Sequence, residues 1–111
     1  MTTSTETKIL FTGKSGREYE FWLYPLDVTF KELPGIYIWL KETKAGSYRP
    51  LYIGQSQNLN DRHSGGHHKE DDVRLAGATH ICAHVTSGTP TQRLLEERDL
   101  IEKYKPDFNE T

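Results

Sequence analysis

The residue with the clearest chemical potential is an acid in the wrong place for a bystander. Placed at about 100° per position, Leu94, Leu100, Ile101 and Tyr104 define an apolar arc on a C-terminal helix, with Glu97 in its middle and Glu96 toward its polar edge. A carboxylate on such an arc loses hydration at a cost of several kcal/mol unless a cation, an arginine or hydrogen bonds meet it. It is therefore either a metal ligand or one half of a buried pair with a structural Arg or Tyr. Two tyrosines add to the case. Tyr37 lies in GIYIWL (residues 35–40), whose alternation puts Ile36, Ile38 and Leu40 on one face and Gly35, Tyr37 and Trp39 on the other. Tyr52 lies in LYIG (residues 51–54), with Leu51 and Ile53 on one face and Tyr52 and Gly54 on the other. If the aliphatic faces share a core, both tyrosines emerge on the opposite surface, where Gly54 leaves room for a ligand's close approach. Ordinary strand packing with a solvent-facing hydroxyl is the alternative for each.

These groups need elements to hold them. Residues 8–11 and 17–24 are aromatic-rich runs around the turn sequence TGKSG, which reads as a hairpin closed by Pro25. The strands at 35–40 and 51–54 flank a polar loop at 41–49. A short helix at 57–63 with Ser56 as N-cap, a helical stretch at 69–75 and a third strand at 79–85 follow. The last helix starts at a capping box, Thr89 with Gln92, has Pro90 in its first turn, and runs to about Tyr104 before Pro106 stops it. The expected fold is α/β: a small mixed or antiparallel sheet of three strands flanked by helices, with the N-terminal hairpin as an extension. Residues 1–7 read as a disordered tail, 8–33 as hairpin and connector, and 34–109 as the main body of a single globular domain.

GIY at 35–37 and YIG at 52–54 together resemble the signature of the GIY-YIG nuclease family. YIGQSQNLNDR (52–62) is similar to that family's YIG-x-x-x-N-L-x-x-R segment, and ERDLIEKYKPDFN (97–109) to its E-x-x-L-I-…-P-x-x-N tail. The resemblance spans roughly residues 34–109. It implies a metal-dependent endonuclease acting on DNA, with Glu97 holding one Mg²⁺ or Mn²⁺, an oxygen-loving ion suited to a lone carboxylate plus water and phosphate. Arg62 takes the place of the catalytic arginine, whose planar fork suits non-bridging phosphate oxygens. Tyr37 or Tyr52 would accept the proton of the attacking water, which requires a phenol pKa lowered from about 10 by neighbouring positive charge. Gly54, Asn58 and the terminal Asn109 are expected on the substrate side. The family usually carries Tyr or His four residues beyond the arginine; Gly66 stands there, and a one-residue insertion in Ser64-Gly65-Gly66 would bring His67 into that role. Helix geometry and the resemblance both select Glu97.

Other readings are bounded by composition. A net charge of −2 counts against binding nucleic acid through bulk electrostatics, so affinity would come from a local basic patch, the metal or a targeting protein partner. That balance is also what a regulatory or nucleic-acid-binding module that keeps the fold without cutting would show. No apolar run approaches the roughly 20 residues of a membrane span, and MTTSTETK lacks the apolar stretch of a signal peptide, so a cytoplasmic location is expected. The lone Cys82 has no partner for an internal disulfide. His80, Cys82 and His84 share a strand face, but the outer two sit about 13 Å apart, too far to converge on one zinc.

Overall fold

The computed structural model describes residues 7–26, 28, 30, 32–59, 68–86 and 88–109, with the side chains of 68–70 aside. Among these residues five strands and two helices follow one another as β1 (Thr7–Thr12), β2 (Glu18–Pro25), β3 (Gly35–Lys44), β4 (Ser47–Ser56), α1 (His68–Leu75), β5 (His80–Val85) and α2 (Pro90–Tyr104). The strands form one sheet in the order β1-β2-β5-β3-β4, antiparallel throughout.

The expected three-stranded sheet with an appended hairpin is thus corrected to five strands. The hairpin joins the sheet through β2, which pairs with β5 from Trp22↔Ala83 to Pro25↔His80. Its residues follow from that position: Phe11, Tyr19 and Phe21 are buried, with Phe11 and Phe21 edge-to-face at 5.3 Å. The polar stretch expected as a loop at 41–49 is mostly strand, because β3 runs to Lys44 and β4 begins at Ser47.

Both faces of the sheet are covered. Ile36, Ile38, Leu40, Ile53 and Cys82 join Phe11, Tyr19, Phe21 and Leu100 beneath α2. On the other face Tyr37, Trp39, Leu51, Ile81 and Ala83 pack with Phe30, Leu59 and Val73 of α1. This is why residues 35–40 are all buried, although alternation alone predicts one wet face. A register shift opposite Trp39 and Leu40 skips Leu51, and the bulge sends Leu51 and Ile53 to opposite faces rather than to one.

Helix α2 begins as its sequence requires. Thr89 Oγ1 accepts from the Gln92 amide at 3.1 Å, and Pro90 fills the first turn. It ends at Lys105, which turns left-handed (φ 44°) and donates to the Ile101 carbonyl. The chain then runs beside β4, where the Phe108 amide donates to the Leu51 carbonyl.

Candidate active site

Tyr37 and Tyr52 face the same side of the sheet with ring centroids 6.3 Å apart, and Trp39 stacks beside both at 5.4 and 5.6 Å. The pair does not emerge on an open surface. Tyr37 is 3% exposed while Tyr52 is half-buried, because α1 and the connecting segments cover that face.

The two signature glycines are explained by close approach. A Cβ on Gly35 would meet the carbonyl oxygen of His84 on β5. One on Gly54 would lie 2.6 Å from both Cζ and the hydroxyl of Tyr37, which pairs with it across β3 and β4. The space expected to admit a ligand at Gly54 is therefore taken by the Tyr37 ring, which the missing side chain allows to approach the strand closely.

Asn109 is committed to the same segment. Its Oδ1 accepts from the Ile53 amide and its Nδ2 donates to the Ile53 carbonyl, both at 2.8 Å. Because β4 is an edge strand, this amide does what a neighbouring strand would do, at the residue between Tyr52 and Gly54. Asn58 lies just past β4 in a turn closed by Ser56, whose hydroxyl accepts from the Asn58 amide at 3.0 Å and donates to its carbonyl at 2.7 Å. Ser56 is the last residue of β4. Arg62 and His67, with most of the expected helix at 57–63, lie outside the described residues.

The acids of α2 are placed differently from the sequence expectation. Glu96, expected at the polar edge, is 3% exposed, and the inward stripe is Arg93, Glu96 and Leu100. Leu94, expected in the apolar arc, is 49% exposed. The cause lies in partners a helical wheel does not contain. Arg17, at the mouth of the hairpin, reaches Glu96 Oε2 at 3.1 Å, and His84 Nε2 lies 3.8 Å from Oε1. The hairpin also grips Asp99, which accepts from the Ser15 amide and hydroxyl and the Tyr19 hydroxyl at 2.8–2.9 Å. Burial opposes ionisation of Asp99, but these bonds and Arg17 outweigh it and hold its pKa below the ordinary value.

Glu97 lies on the other flank. It follows Arg93 by one turn, and Arg93 Nε donates to Gln55 Oε1 of β4 at 2.8 Å, so this side of the helix faces the edge strand that carries Tyr52. Glu97 is half-buried, and burial raises its pKa, with Arg98 acting against the rise. Among the described residues its carboxylate has no hydrogen-bond or ion-pair partner. A partly desolvated, unpaired carboxylate is costly to keep and inexpensive to offer to a cation. No group of three ligating side chains occurs among the described residues. A cation here would thus take one carboxylate from the chain and complete its shell with water or phosphate oxygens, which fits a hard divalent ion and not zinc.

His80, Cys82 and His84, the strand face weighed as a zinc site, go to separate partners. His80 Nδ1 meets the Thr79 hydroxyl at 2.9 Å, Cys82 is buried with its thiol pKa pushed up, and His84 Nδ1 meets the Glu20 carbonyl at 2.9 Å.

An antiparallel sheet with a Tyr pair on adjacent strands, a glycine cradle beneath one ring and a lone helix carboxylate at the edge is the GIY-YIG nuclease fold. No family model and no curated protein matches the chain. Among solved structures it is similar to the GIY-YIG N-terminal endonuclease domain of UvrC from Thermotoga maritima, in a tyrosine-to-phenylalanine point mutant bound to its catalytic divalent cation. Identity is 26%, the TM-score 0.56, and the match covers 73% of this chain and 87% of that one. A second such mutant of the same domain, also holding the cation, matches at 24% identity with the same TM-score and coverage.

Proposed function

We propose that the protein is a metal-dependent endonuclease that hydrolyses phosphodiester bonds in DNA. The unpaired, half-buried Glu97 carboxylate carries this reading, and the likeness to an endonuclease domain that holds a catalytic divalent cation supports it. Glu97 would hold Mg²⁺ or Mn²⁺. The ion supplies charge neutralisation at the cleaved phosphate and at the departing oxygen. Tyr52, the more accessible of the pair, takes the proton of the attacking water, and Tyr37 beneath it fixes the ring's position. Arg62 binds the non-bridging oxygens through its planar fork, and His67 is the candidate proton-transfer partner. Asn109 and Gly54 set the backbone and ring positions of the YIG strand rather than reaching for substrate. Asn58 remains a candidate on the substrate side, and a targeting partner would supply what a net charge of −2 does not.

The test is nicking of supercoiled plasmid with Mg²⁺ or Mn²⁺ by the parent and by Glu97→Ala. Metal-dependent nicking that falls by at least about 100-fold in the variant is expected. Equal cleavage by both, or none on any DNA, replaces the reading with a fold-retaining binding module.

A further inference from the structure

Arg93 is 5% exposed and, among the described residues, its side chain makes one hydrogen bond, from Nε to Gln55 Oε1. That uses one of its five N–H donors. Among the described residues no carboxylate lies within ion-pair range of it, and Arg98 is the cation acting on Glu97. A guanidinium withdrawn this far from water is ordinarily paired with an anion, since its desolvation otherwise costs several kcal/mol. Its terminal nitrogens are not sealed in. The one enclosed side-chain polar atom without a partner among the described residues is Glu96 Oε1, so the remaining donors of Arg93 are not fully enclosed. Long helical side chains lean toward the helix N-terminus, which directs this one away from Glu97 and toward the Gln55 end of β4. The result is a cation held by its stem and Nε, with its remaining donors presented one helical turn from the lone carboxylate.

We infer that Arg93 binds a backbone phosphate of the nucleic acid, next to the phosphodiester at the Glu97 site, with Gln55 orienting its guanidinium. A phosphate matches the paired N–H groups of arginine and supplies the missing anion. The position relative to the cut rests on the nuclease reading above; the phosphate contact does not.

The experiment is metal-free binding of a fluorescein-labelled DNA duplex over a salt series, with melting temperatures alongside. Arg93→Met, which keeps most of the stem, is expected to lower the slope of log K against log salt by about 0.9. Gln55→Glu gives Arg93 an internal carboxylate, and is expected to lower the slope similarly without lowering the melting temperature. Gln92→Glu, on the exposed neighbouring position, adds the same charge elsewhere and is expected to leave the slope nearly unchanged. If Arg93→Met does not fold, Gln55→Glu against Gln92→Glu decides. A slope unchanged in both Arg93→Met and Gln55→Glu, an equal fall in Gln92→Glu, or no salt-dependent binding by the parent overturns the inference. The two readings fail separately. A parent that nicks plasmid with unchanged slopes loses only the Arg93 contact; one that never cuts but shows the slope change loses only the nuclease.

Discussion

Adding one methyl group at Gly54 will disturb the tyrosine pair more than its size suggests. The new Cβ would stand 2.6 Å from Cζ and the hydroxyl of Tyr37 and 3.0 Å from Cε2, where ordinary contact begins at 3.4 Å. The ring must therefore give by about 0.8 Å, and it has little room, since Tyr37 is wedged between Trp39 and Tyr52 on a covered sheet face. Overpacking of this kind costs about 1–3 kcal/mol. For a domain near 100 residues, 2 kcal/mol lowers the melting temperature by roughly 8–16 °C. Urea unfolding of Gly54→Ala, Tyr37→Leu and the double variant tests the cause directly. With the ring gone the three atoms nearest the methyl go with it, so the double variant is expected to lose no more than Tyr37→Leu alone, a coupling of about 1–3 kcal/mol. Additive losses would refute the claim that Gly54 exists to seat Tyr37.

Three further outcomes follow from the same geometry. Asn109→Ala removes two hydrogen bonds to Ile53, worth about 1 kcal/mol each, and is expected to speed hydrogen exchange at the Ile53 amide, whereas Asn109→Asp keeps the acceptor for that amide and loses only the donor to the Ile53 carbonyl; normal protection in Asn109→Ala would contradict the strand-mimic role. Because the folded protein holds the Glu97 pKa above its unfolded value, it binds more protons than the unfolded chain as pH rises through that window. Metal-free stability therefore falls with pH there, Glu97→Gln is more stable than the parent at neutral pH, and divalent metal narrows the gap; chemical denaturation at two pH values reads this out. Tyr19 is pushed up to about 12 by burial and by its bond to Asp99, so stability is lost as pH climbs from about 10 toward 12, and Tyr19→Phe removes that slope in an alkaline unfolding series.

Much of this fold could be read from residue order, and the gaps have definite causes. The strands at GIYIWL and LYIG and the capped α2 were legible because period-2 runs and a Thr-Pro start are local signals. The two-sided burial of β3 was not, because the covering side chains, Phe30, Leu59 and Val73, come from segments far apart in sequence. The strand character of Lys41–Lys44 escaped because exposed polar residues on a two-stranded ribbon look like a loop. The apolar arc points to Glu97 as the inward acid, but that depth of burial belongs to Glu96. The more deeply buried acid is the one that Arg17 meets, and nothing local to the helix announces a partner some eighty positions upstream. Arg93 gave no signal at all, since an arginine on a polar-looking helix start is unremarkable until its burial is seen.

The central claim is that the carboxylate of Glu97 is where the divalent ion sits. Anomalous diffraction from crystals grown with Mn²⁺ addresses it in one map. The expected result is a single strong peak about 2.2 Å from a Glu97 oxygen, completed by waters and absent in Glu97→Gln. A peak instead among Glu96, Asp99 and Glu102, or none at saturating Mn²⁺, would contradict it.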